Sequence, residues 1–122
     1  MVSALGFAEN QISIINPHIL EEGRSALKKA MEYNGPYVII TQAPCALLPE
    51  VRKISAKQFY TVDRDTCITC KACIRTGCPA ISIQDGKSSI DHTYCAACGV
   101  CMQVCKPGAI SGPYTIENEG GQ

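Results

Sequence analysis

The chain has 122 residues, with 11 basic and 11 acidic side chains and a formal net charge of zero. That size allows one or two small domains, and the even balance argues against a nucleic acid or an anionic membrane as the main partner. No apolar run is long enough to span a bilayer, and the opening "MVSALGFAENQ" lacks a basic region followed by a long apolar stretch, so a cytoplasmic protein is expected.

Taken in chain order, "ISII" (12–15) and "YVIIT" (37–41) are short runs rich in β-branched or aromatic residues and predict buried strands. Between them Asn16 is a candidate helix N-cap with Pro17 at the first helical position. Leu20, Leu27 and Met31 recur at helical intervals, and Asn34-Gly35-Pro36 ends the helix. Strand, helix, strand predicts a right-handed crossover between parallel strands. Strands apolar on both faces need cover on both, and one helix covers one. This unit, residues 1–48, therefore calls for neighbours from a partner subunit or from a longer chain, with packing on the cysteine domain as the alternative. Residues 49–57 have a basic bias and predict a connecting segment, and the tail 115–122 turns polar and glycine-rich.

Eight of the nine cysteines lie between 67 and 105. A disulfide scaffold is the usual reading only in oxidising compartments, and an odd count at three-residue spacing fits one poorly. Bound metal is the better explanation. "CITCKACIRTGCPAIS" (67–82) lies over "CAACGVCMQVCKPGAIS" (95–111), with the first three cysteines at an offset of 28 and the Ala-Ile-Ser tails at 29. The chain therefore contains an internal duplication. Between the copies, Asp85-Gly86 flanked by short β-like runs predicts a two-residue hairpin. Three thiolates at C-x2-C-x2-C wrap one compact object, whereas zinc sites more often draw two ligands from each of two knuckles. A zinc-stabilised interaction module remains the alternative for these soft ligands.

The repeat resembles the bacterial-type two-[4Fe-4S] ferredoxin domain over residues 58–114. In such domains each cluster takes its fourth ligand from the other repeat. Applied here, cluster one takes Cys67, Cys70, Cys73 and Cys105, and cluster two takes Cys95, Cys98, Cys101 and Cys78. Cys101 and Cys105 stand four apart, about 40° around a helix, so one short helix can carry both. Cys73 and Cys78 stand five apart, about 140°, which demands a break. Gly77 can adopt the left-handed backbone of a helix stop, and Pro79 prevents resumption. The first connecting helix is expected to be the shorter and less regular. Lys71 and Arg75 flank the first set of ligands where the second has Ala96, Ala97, Gly99 and Val100. Cations favour the reduced cluster, so cluster one is expected to have the higher potential.

A longer stretch, "NPHILEEGRSALKKAMEYNGPYVIITQAPCAL" (16–47) followed by "CxxCxxCxxxxCPAI", is similar to the C-terminal end of the indolepyruvate ferredoxin oxidoreductase large subunit. The resemblance implies an α+β fold. A partial strand-helix-strand unit that ends a thiamine-diphosphate-binding domain precedes a pseudo-twofold two-cluster domain of short hairpins and short helices. It also implies electron transfer from a 2-oxoacid oxidation to an external ferredoxin, with the rest of the thiamine enzyme as partner. The family has proline directly after the last cysteine; here Lys106 stands there and keeps an N–H that can reach a cluster sulfur. No Gly-Asp-Gly for Mg²⁺ and thiamine diphosphate occurs, and "QDGK" (84–87) is only the hairpin turn. This chain alone therefore does not complete the oxidative decarboxylation, and those two cofactors belong to the complete enzyme. A free-standing two-cluster electron carrier is the alternative. Cys45 lies outside the register and reads as a buried apolar thiol. His18 and His92 have no ligand or base spacing and read as structural or exposed.

Overall fold

The computed structural model describes residues 2–113, so the polar tail expected over 115–122 lies outside the described residues. The chain divides into two compact units, Met1–Ala43 and Pro44–Gln122.

In the first unit, β1 (Ile12–Ile15) pairs in parallel with β2 (Val38–Thr41), Ile12 opposite Val38 and Ile15 opposite Thr41. Helix α1 (Leu20–Glu32) connects them, as the two apolar runs and the intervening helical periodicity predict. Two expectations are corrected. Asn16 does not cap α1: its Oδ1 accepts the N–H of His18 at 3.0 Å, and its carbonyl accepts the N–H of Ile19 at 3.1 Å. Asn16 and Pro17 thus build a separate turn, and the helix starts after Ile19, whose side chain makes no cap. The Glu22 carboxylate reaches back to the N–H of Asn16 at 2.7 Å. The inward face of α1 is also not the Leu27–Met31 stripe. Ala26 is its buried residue, while Leu27 and Met31 are 58% and 86% exposed. Small residues at 23, 26 and 30 share that inward face by helical spacing, which lets the helix lie close to the strands.

In the second unit, α2 (Pro49–Ser55) occupies the segment expected to be a connection. Two two-strand sheets follow: β3 (Thr61–Val62) antiparallel with β6 (Ile110–Ser111), and β4 (Ile81–Gln84) antiparallel with β5 (Lys87–Ile90). β4 and β5 form the expected hairpin, and both turn residues have positive φ, 48° at Asp85 and 76° at Gly86. Two successive left-handed residues make the turn whose twist matches that of paired strands. Tyr60, Ala80, Ile90, Ile110, Cys73 and Cys101 form the core.

The duplication reaches further upstream than the cysteines. Asp63 and Asp91 are 28 apart, and each accepts the N–H two residues on, Asp65 at 3.0 Å and Thr93 at 2.8 Å. The N–H of Asp63 binds the carbonyl of Ala109, and the N–H of Asp91 binds that of Ala80, both at 2.8 Å. Each copy is thus tied at its start to the end of the other. Ala80 and Ala109, each 2% exposed, are the residues so used.

Candidate metal centre

Both C-x2-C-x2-C loops take the same backbone course. Thr69 (φ 55°) and Lys71 (φ 60°) in the first copy match Ala97 (φ 54°) and Gly99 (φ 73°) in the second, each at the 28-residue offset. Alternating left-handed residues turn consecutive N–H groups toward the inside of such a loop, a concavity suited to anionic sulfur. Three of these four positions are not glycine, so the loops hold conformations that cost of order 1 kcal/mol each.

After Cys73, a 3₁₀ turn over Ile74–Thr76 ends at Gly77, φ 73°, whose N–H binds the carbonyl of Ile74 at 3.0 Å. In the second copy, α3 spans Val100–Gln103. The first connection is therefore the shorter and less regular, and the extra residue of its spacing is taken up at the left-handed glycine. Cys105, however, lies outside α3. Its N–H binds the carbonyl of Met102 at 3.1 Å, three residues back, so the chain has tightened out of α geometry before it. Pro107 disfavours helical backbone at Lys106, so the helix does not resume beyond Cys105.

Cys67, Cys70, Cys73 and Cys105 line one small pocket. Cys67 and Cys73 are buried and Cys70 is exposed. Ser88, 3% exposed, sits behind them on β5. The Cys73 thiol donates to its Oγ at 3.4 Å. N–H groups of Ser88 and Thr69 hold the Cys67 thiol below its usual range against the effect of burial, with help from the Ser88 hydroxyl and the Lys87 ammonium. Lys87 is itself fixed, donating to the carbonyl of Cys67.

Around the second copy the electrostatics run the other way. Burial pushes the Cys101 thiol up to about 12, and the charges of Cys98, Cys95 and Cys78 add to the rise. Cys78 comes from the first copy, so the sulfurs that act on Cys101 come from both. The first anticipated set of four lines one pocket, and in the second three cysteines lie near enough to Cys101 to affect its proton. Four thiolates around one pocket suit a cubane cluster, which takes one thiolate at each iron corner, and such soft ligands also suit zinc.

Sequence reasoning missed Ser88 and Lys87. Period-two alternation on a strand would have put Ser88 and Ile90 on one buried face, but a serine between two cysteine loops carries no metal signature. Cys45, expected to be buried, is exposed, because it opens the turn into α2, its carbonyl accepting the N–H of Leu48 at 3.1 Å. His92 stacks on Phe59, with ring centroids 3.6 Å apart. His18 stays in the turn before α1, far in sequence from the cysteines.

Comparison with known proteins agrees with this chemistry. Residues 59–106 match the family described as "4Fe-4S dicluster domain". Over 105 residues the chain is 35% identical to indolepyruvate oxidoreductase subunit IorA of Pyrococcus horikoshii, covering 80% of this chain and 16% of that protein. The IorA of Archaeoglobus fulgidus is 33% identical over 102 residues, 81% of this chain and 16% of its own length. Pyruvate synthase subunit PorD of Methanothermobacter marburgensis is 43% identical over 49 residues, 40% of this chain and 58% of that subunit. The chain thus spans about one sixth of the length of the IorA relatives it matches.

Proposed function

Taking residues 59–106 as a member of the 4Fe-4S dicluster domain family, we propose that the chain is the electron-transfer segment of an indolepyruvate-type 2-oxoacid oxidoreductase. Cys67, Cys70, Cys73 and Cys105 hold one [4Fe-4S] cluster, and Cys95, Cys98, Cys101 and Cys78 hold the other. Bound there, the clusters supply reversible one-electron chemistry. The chain's residues supply the rest: eight thiolates, inward N–H groups from the left-handed loops, and a core that excludes water.

The observation that carries this reading is the pocket that Cys105 shares with Cys67, Cys70 and Cys73. A fourth sulfur from the second copy beside three from the first is what ligand exchange requires. The paired bonds Asp63–Ala109 and Asp91–Ala80 support a pseudo-twofold relation between the copies. The remaining thiamine-diphosphate-binding part of the enzyme is the proposed electron source, and an external ferredoxin the proposed acceptor. Similarity to IorA on both sides of residue 50 favours this over a free-standing carrier, because a diffusing carrier has no use for the strand-helix-strand unit.

Anaerobic purification followed by iron and acid-labile sulfide analysis tests the metal assignment. Two cubane clusters give about eight irons with matching sulfide. Two zincs without sulfide would refute it. Reconstitution with the thiamine-binding part, followed by bleaching of the clusters on addition of an aryl pyruvate, tests the rest.

A further inference from the structure

The turn of the β4–β5 hairpin is fastened to the first cysteine loop by side chains that reach in both directions. From the loop side, the Thr69 hydroxyl donates to the carbonyl of Gly86 at 2.8 Å. The Arg64 guanidinium donates to the carbonyl of Gln84 at 3.3 Å and pairs with Asp85 at 3.6 Å. From the hairpin side, the Lys87 ammonium donates to the carbonyl of Cys67. Lys87 is half-buried, whereas Lys71 and Arg75, the cations that flank the first ligands in sequence, are exposed. One positive charge is thus held against the backbone of a ligand residue, while the other two stand in water.

We propose that Lys87 is a positioning residue for the cluster held by Cys67, Cys70, Cys73 and Cys105. Its charge, fixed on the Cys67 carbonyl, raises that cluster's reduction potential more than the exposed Lys71 and Arg75 do. The proposal rests on the two-cluster reading above. A cluster on four thiolates is already anionic, and reduction adds one electron and no proton. A cation stabilises the added charge more when it is held closer and with less water between. Charges in solvent act weakly, because salt screens them over about 8 Å at physiological ionic strength. A half-buried ammonium is screened less. Its bond to the carbonyl also restrains a flexible stem that would otherwise carry the charge out into water. The carboxylate of Asp85 opposes the effect, but it is 89% exposed and paired with Arg64. Its charge is the kind that solvent screens.

The test is an EPR-monitored titration of the full chain, both clusters assembled, against dithionite and mediator dyes. Lys87→Gln is expected to make one cluster about tenfold harder to reduce, ~59 mV for a one-electron couple. The signal that moves must be the one that Cys105→Ser disturbs. Lys87→Arg, which keeps the charge, is expected to hold the original value. Nε-acetyl-lysine introduced at position 87 separates charge from bonding, because it keeps an N–H donor and loses the charge; it must lower the potential as Lys87→Gln does. Neutralising Lys71 and Arg75 together is expected to change the same equilibrium by less than about threefold. In about 1 M salt that smaller shift should vanish and the Lys87→Gln shift should persist. An unmoved potential in the acetyl-lysine form, or a larger shift from Lys71 and Arg75, overturns the proposal while leaving the two-cluster reading intact. Should neither neutral form assemble while Lys87→Arg does, Lys87 is a structural support and the tuning role is refuted. Absence of iron and sulfide in the unsubstituted chain overturns both.

Discussion

At Gly77 the backbone runs at φ 73°, and a Cβ there would meet nothing within 4 Å; at Gly112 a Cβ would fall 2.2 Å from the ring of Tyr60. One position requires glycine for its conformation and the other for its space, and the two requirements have different magnitudes. Gly77→Ala adds only left-handed strain, about 1 kcal/mol. Gly112→Ala must displace a ring that is 1% exposed, an overpacking cost of about 1–3 kcal/mol. Urea midpoints of the anaerobically prepared variants are expected in that order, and the reverse order would contradict the packing described for Tyr60. The cysteines separate on similar grounds. Cys45 and Cys70 are exposed, whereas Cys101 is buried with its thiol pushed up to about 12. Mass-spectrometric mapping after iodoacetamide treatment at about pH 8.5, the ordinary thiol pKa, should show Cys45 and Cys70 modified first and Cys101 last. The sign for stability follows. Between the ordinary thiol pKa and about 12 the folded chain keeps a proton at Cys101 that the unfolded chain has lost. The metal-free fold therefore has this contribution in full below that window and loses it as pH rises through it. Iron loading has to displace the same proton.

The connections between the two copies operate at the level of elements. Cys105 lies beyond the end of α3 and lines the pocket of the first loop, and Cys78 lies beyond Gly77 and acts on Cys101. Cys105→Ser is expected to alter or abolish the EPR signal of the cluster on the first loop, and Cys78→Ser that of the second. Iron content should fall toward half in each case; each variant disturbing the signal of its own copy would sink the exchange. Much of this arrangement was legible in the sequence. The hairpin at Asp85-Gly86, the two parallel strands, the duplication and the stop at Gly77 each follow from residues whose local chemistry admits few alternatives. What was not legible depended on tertiary context. Asn16 can cap a turn as readily as a helix, and only the neighbouring Pro17 and the reach of Glu22 decide between them. The face of α1 was misread because Gly23, Ala26 and Ala30 carry no hydrophobic signal, although small residues are what a close helix–sheet contact needs. Cys105 was placed on the helix by spacing alone, whereas α3 ends at Gln103 and the N–H of Cys105 turns to the carbonyl of Met102. Ser88 stayed hidden because its significance lies in two sulfurs distant in sequence.

For the whole molecule, the two units differ in how far each can stand by itself. Among its described residues, Met1–Ala43 has two strands, one α-helix and a single buried side chain, Ala26, with Ile14, Leu27 and Met31 more than half exposed. Two strands and a helix bury too little surface to offset their ordering entropy. Pro44–Gln122 contains the core around Tyr60 and all eight proposed ligands. Separately expressed, residues 44–122 are expected to take up iron and sulfide in the same proportion as the full chain. Residues 1–43 are expected to show no cooperative thermal transition by circular dichroism. A folded, cooperative 1–43 fragment would remove the reason for assigning its apolar surface to a partner. Met31, 86% exposed, allows a sharper comparison. Met31→Lys should change the stability of this chain by no more than about 0.5 kcal/mol. If the thiamine-diphosphate-binding part proposed above covers that side of α1, the same substitution buries an unpaired ammonium in the assembled protein, at a cost of several kcal/mol. Loss of co-purification with no loss of chain stability is the outcome that puts Met31 in that contact. Unchanged assembly would leave the helix facing water and move the contact to the strand side, where Ile14 is exposed.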